Sequence, residues 1–158
     1  MAFKSTSRCL AILVSTFLLS PLQSHAADWA LACDDAKALC VSQGALVSEN
    51  GDRPAALGLQ LSKDGSNAVI FVTTPLGTAI RPGLKLRSGN EEFPLVFDVC
   101  FPDGCRATSE LSSQSLATFL SLTDVDLLLF PFGNDQPLIL NVPLKGLKES
   151  FSGSVSLP

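Results

Sequence analysis

Of the five cysteines of this 158-residue chain, the four beyond position 30, with a scatter of carboxylates, are the residues with chemistry to offer. Cys33 and Cys40 have six residues between them, and Cys100 and Cys105 have four. A redox pair needs the shorter Cys-x-x-Cys spacing, and a zinc site needs two close ligand pairs, so neither chemistry fits. An even number of cysteines behind an export signal reads as a disulfide framework, for which three pairings are formally possible. The local pairing is favoured by Phe101-Pro102-Asp103-Gly104, which fits a type I turn with Gly104 at positive φ and sets Cys100 across from Cys105. Cys33 then joins Cys40.

Among the carboxylates, Asp98, Asp103 and Glu110 are the candidates for hydrolysis, because paired acids need only the right separation in a cleft. Asp34-Asp35 lacks the oxygen-ligand spacing of a calcium loop, so a solvated loop closed by its own disulfide is expected there. Arg81, Lys85 and Arg87 have the look of an anion site. Lys85 and Arg87, however, share one strand face near Glu91 and Glu92, which makes a charge-balanced solvated face the better reading. His25 is the only histidine and tyrosine is absent. Once the leader is removed, no histidine remains for a Ser-His or Cys-His nucleophile or for a His-ligated metal. No catalytic residue, metal or cofactor is therefore assigned, and the four cysteines are the site residues.

The leader itself is legible. Lys4 and Arg8 precede the apolar run Leu10 to Leu19, and Ser24-His25-Ala26-Ala27 ends it with small residues where a signal peptidase reads. The expected signal is 1–26, with cleavage after Ala26 or Ala27, and a domain from 27 to 158 follows. The run is too short for the roughly 20 residues that span a bilayer, so no transmembrane segment is expected after processing. Cys9 leaves with the leader. Loss of Lys4 and Arg8 leaves nine basic residues against fifteen acidic ones, a formal net charge of −6. That balance argues against nucleic acid and against an anionic membrane as the main partner.

The elements that hold the cysteines are short strands separated by turn residues. Trp29, the only tryptophan, is expected as a core anchor beside a first strand ending at Cys33. Strands follow over Val41 to Ser48, Ala55 to Ser62 and Ala68 to Thr74, punctuated by Asn50-Gly51, Asp64-Gly65 and Pro75-Leu76-Gly77. Leu57, Leu59 and Leu61 alternate with Gly58, Gln60 and Ser62, giving one buried and one wet face. Ala68 to Val72 is apolar on both faces, as a central strand should be. Leu84 to Arg87 and the hairpin Phe93 to Ala107 continue the pattern. Ser112 is a good N-cap, Leu111 and Leu116 can form a hydrophobic staple, and Leu116, Phe119 and Leu120 share a face, so one helix of two to three turns is expected. Asp124 to Phe132 and Pro137 to Pro143 make a further strand pair, and Phe151 to Pro158 a last edge strand. About nine strands, one short helix and two disulfides describe an all-β protein, best drawn as an immunoglobulin-like β-sandwich, with a small barrel second.

Trp29-x-x-x-Cys33, Cys40, Thr74-Pro75-Leu76-Gly77, Ile80-x-x-Gly83-Leu84, Phe97-x-x-Cys100-x-x-x-Gly104-Cys105-x-Ala107, Leu111 and Leu144-Lys145-Gly146 together resemble the invasion-associated locus B family of exported bacterial proteins. The Cys100 to Ala107 motif is the most specific part. The resemblance implies a periplasmic or surface-exposed β-sandwich without an established reaction, linked in some pathogens to host-cell entry. Arg87-Ser88 replaces a common Ile-Asp pair, and Gly146-Leu147 replaces a Gly-Phe pair. Neither change touches a cysteine. The expected function is that of a non-enzymatic periplasmic or surface binding protein, with a partner protein or envelope component. A carboxylate-dependent envelope hydrolase is the alternative.

Overall fold

The computed structural model describes residues 25–26, 29–34, 39–47, 54–155 and 157. The expected signal apart from His25 and Ala26, the loop over 35–38 and most of the turn before Pro54 lie outside the described residues. The described residues form ten strands: β1 (His25–Ala26), β2 (Ala30–Asp34), β3 (Leu39–Val47), β4 (Ala55–Ser62), β5 (Ala68–Thr74), β6 (Leu84–Ser88), β7 (Glu91–Phe101), β8 (Gly104–Leu111), β9 (Asp124–Leu129) and β10 (Leu138–Pro143). Two helices, α1 (Ser113–Ser121) and α2 (Leu147–Ser150), complete the elements.

All strand pairs are antiparallel and follow one path, β1-β3-β4-β5-β8-β7-β6-β9-β10, with β2 also against β3. The long strand β7 is the pivot. Its first half, through Leu95, pairs with β6, and from Val96 onward it pairs with β8. The sheet therefore curls about β7 until its two ends, β1 and β10, approach one another. The all-β class, the antiparallel pairing and the two disulfides agree with expectation. The separate strand sets of an immunoglobulin-like sandwich are not established by this pairing, because a single strand carries the ladder across both halves.

Alternation explains the curl's interior. Leu57, Leu59 and Leu61 of β4 and Ile70 and Val72 of β5 face Leu84 and Leu86 of β6 and Val125, Leu127 and Leu129 of β9, in one continuous buried cluster. Each such side chain contributes about 1.5–3 kcal/mol on burial. α1 closes the cluster with Leu116 and Phe119, both fully buried. Ser112 caps this helix, accepting from the Ser115 N–H at 3.1 Å. Phe119 meets Phe93 edge to face, with ring centroids 5.2 Å apart. Trp29 packs at the margin of the core, as expected.

The C-terminal tail corrects the expectation of a last edge strand. Residues 151–155 are turns and not a strand, the Ser154 N–H donating to the Phe151 carbonyl at 3.0 Å; they follow directly on the helical turn Leu147 to Ser150, and Phe151 is fully buried. Apolar Leu147 and Phe151 are spaced four apart, a helical repeat, which draws this segment over the core instead of along an edge. Ser150 Oγ lies 2.7 Å from the buried Ser42 Oγ, so the one buried serine of β3 finds its partner on α2.

Candidate functional site

Each disulfide joins residues directly opposite in an antiparallel ladder. Cys33 faces Cys40 between β2 and β3, and Cys100 faces Cys105 between β7 and β8. Both pairs are bonded, with Cα atoms 4.0 and 3.9 Å apart respectively. The local pairing expected from the turn is thus the one observed. Gly104 is needed for a reason beyond that turn. Its φ is 155°, positive as expected and a conformation that L side chains rarely adopt, and a Cβ there would in addition collide with the carbonyl oxygen of Thr74. β8 starts hard against the end of β5.

Just before this clamp the β7–β8 ladder slips. Phe97 faces Ala107 and Val99 faces Arg106, so Asp98 is the extra residue of a bulge. A bulge re-aims the side chain it frees. Asp98 is turned onto Arg106, whose Nη2 donates to Oδ2 at 2.8 Å and whose Nε donates to the same oxygen at 3.2 Å. The Arg106 hydrogen bonds hold the Asp98 carboxyl below the usual aspartate range, and its charge adds to the effect. Such a group stays ionised at neutral pH and has no proton to give.

This ion pair sits in an outer-face basin of ≈ 440 Å³ beside Gln60, Phe71 and Thr108. The Phe71 ring lies directly over Gly58, its partner across the β4–β5 ladder, and a Cβ at Gly58 would meet the ring itself. Phe71 thereby fills the gap in the wet face of β4. Of the three candidate carboxylates, only Asp98 lines the basin. Glu110 stands four residues along β8 from Arg106, roughly 13 Å of strand rise away, and Asp103 is exposed in the hairpin turn. A glycosidase-type carboxylate pair needs a separation of roughly 5–9.5 Å. No pair of the three is brought together in this basin.

Across the sheet, the outer face of β6, β7 and β9 carries a second, larger groove of ≈ 690 Å³. Ile80, Arg81, Lys85, Val96, Leu128 and Phe130 are among its walls. Val96 is 73% exposed and Ile80 54% exposed. Lys85 is bound to Glu92 at 2.9 Å, whereas Arg81 makes no ion pair among the described residues. The expected charge balance therefore holds at Lys85. Sequence reading missed this groove. Its signal was Val96, an apolar residue on the strand face that Phe93, Leu95 and Phe97 leave to solvent.

Beyond the groove, Leu76, Phe132, Leu138 and Ile139 are also exposed, Phe132 to 83%. The loop bearing Leu76 is tied to the one bearing Phe132 by a hydrogen bond from the Phe132 N–H to the Gly77 carbonyl, 2.7 Å. Among the described residues no cluster of three or more His, Cys, Asp or Glu could hold a metal ion. No helix among them is long and apolar enough to cross a membrane.

Comparison with known proteins decides the family. The sequence matches the Invasion associated locus B (IalB) protein family over residues 29–154, a span holding the eleven elements from β2 to α2. The chain belongs to the IalB family. Its fold is similar to the crystal structure of invasion associated protein B from Bartonella henselae, at 20% sequence identity and a TM-score of 0.67, covering 84% of this chain and 94% of that one. No curated protein matches it in sequence. Membership in IalB and two disulfides together point to an exported protein.

Proposed function

We propose that this IalB chain is a non-enzymatic binding protein of the periplasm or cell surface of a Gram-negative bacterium. In this reading the segment 1–26 is removed on export, and residues 27–158 form a sandwich-like scaffold. The observation that supports it most is the open apolar groove at Ile80, Val96 and Phe130, set on a face that the β9–β6–β7 ladder holds in place. A soluble domain that leaves large apolar side chains in a concave, rigidly held place gains by covering them. The clamps at Cys33–Cys40 and Cys100–Cys105 keep the strands in register for that purpose. The Bartonella protein is described as invasion associated, and contact with a host cell is the corresponding role for this chain.

The test is capture by the oxidised, processed chain from periplasm and from host-cell extract, compared with the Val96→Glu variant. The reading expects a reproducible partner that the variant loses. Equal capture by both forms, or none, counts against it.

A further inference from the structure

The groove's own chemistry narrows what it holds. Its lining includes two cations, Arg81 and Lys85, and no carboxylate, in a chain with four more acidic than basic residues. Its remaining walls are apolar: Ile80, Val96, Leu128 and Phe130. Beneath it β6 is paired on both edges over Lys85 to Arg87, to β7 and β9, while β7 is paired on one edge at a time, to β6 through Leu95 and to β8 from Val96. Apart from Arg81 and Lys85 no side chain of the lining is polar, so the N–H groups of a peptide laid along these walls would find no side-chain acceptor, a costly arrangement. A hydrocarbon chain carries no such groups.

From these observations we infer that the groove binds a single-chain anionic amphiphile of the fatty-acid class. The hydrocarbon lies along Val96, Leu128 and Phe130, and the carboxylate sits at the rim beside Arg81. Lys85, shared with Glu92, supplies further positive potential. Arg81 is the stronger of the two partners, because it is exposed and makes no competing ion pair among the described residues. The volume of ≈ 690 Å³ lies within the roughly 300–1,000 Å³ typical of small-molecule sites. The inference rests on the binding role proposed above and names the ligand class of the same surface.

Dodecanoate, kept below its micellar concentration, is the probe. It is titrated into the oxidised, processed chain while backbone amides and methyl groups are followed by NMR. Saturable shifts at Ile80, Lys85, Val96 and Leu128 are expected. Arg81→Glu should weaken binding about 10-fold, since it replaces a charge-assisted contact by a like charge, and Val96→Glu should abolish it. Dodecyltrimethylammonium, with the same chain and the opposite head charge, should bind the native protein at least 10-fold more weakly. Equal binding of the two amphiphiles overturns the inference, as do shifts centred on Phe132 and Ile139. An amphipathic acidic helical peptide forms the last arm. If that peptide saturates the groove and dodecanoate does not, the ligand class is wrong while the binding role stands. If neither probe binds and Val96→Glu captures partners as the native chain does, both fail.

Discussion

Gly104→Ala offers a sharp test of how the hairpin clamp is seated. The Cβ introduced there would press on the Thr74 carbonyl oxygen and come within 3.5 Å of Thr73 Cγ2. Neither neighbour is free to yield. Thr74 is paired with Cys105, its Oγ1 donates to the Cys105 carbonyl at 3.4 Å, and Cys105 is tied to Cys100. The clash is with backbone, so relief requires moving the β5–β8 ladder itself. Overpacking of this kind costs about 1–3 kcal/mol, which for a domain of this size lowers Tm by roughly 3–15 °C. The assay is thermal unfolding of the oxidised chain followed by circular dichroism. The cost should shrink in a Cys100→Ala/Cys105→Ala background, because the start of β8 can then shift, so the two perturbations should be non-additive. An unchanged Tm for Gly104→Ala, or strict additivity with the disulfide deletion, would refute the close-approach argument.

Three further outcomes are expected. Replacing Cys100 and Cys105 by alanine should cost about 2 kcal/mol, the chain-entropy value for so short a loop, and non-reducing peptide mapping should recover Cys33 with Cys40 and Cys100 with Cys105. Asp98 titrates below the ordinary aspartate value of 3.8 because Arg106 binds its charged form. The pair's stabilisation is therefore complete above that pH and is lost as pH falls beneath it. It should stay within about 1 kcal/mol for so exposed a pair, and Arg106→Gln should return the Asp98 carboxyl resonance to the ordinary range. Finally, N-terminal sequencing of the exported chain should begin at Ala27 or Asp28. A chain that retains His25 and Ala26, and with them the β1 pairing to Leu46 and Val47, would move the processing site.

The elements most legible in the sequence were those with a local cause. β4 and β5 fall where alternation and Asp-Gly or Pro-Leu-Gly turns place them, and α1 begins at its Ser112 cap. Both disulfides are hairpin-local, so a turn was enough to pair them. The curl was not legible, because it depends on β7 serving two partners in succession, and neither alternation nor turn chemistry says which strand a residue will face. The bulge at Asp98 follows from that same handover. Asp98 was singled out as a candidate acid, yet its aim at Arg106 arises from an extra residue in the ladder, which the one-dimensional pattern conceals. α2 was missed because its four residues, just before the expected edge strand, are too few for a helical period to stand out. The groove was hidden for a similar reason: Ile80, Val96 and Phe130 are far apart in sequence and meet only once β6, β7 and β9 are laid side by side.

The outer groove is the proposed place where this protein engages its partner. Photo-crosslinking from a reactive amino acid placed at position 96, in intact cells under oxidising conditions, tests this most directly, with position 110 on β8 as the control. A discrete adduct from position 96 and none from position 110 is the predicted result. Adducts of equal strength from both, or none from position 96 with the folded protein exported, would contradict it.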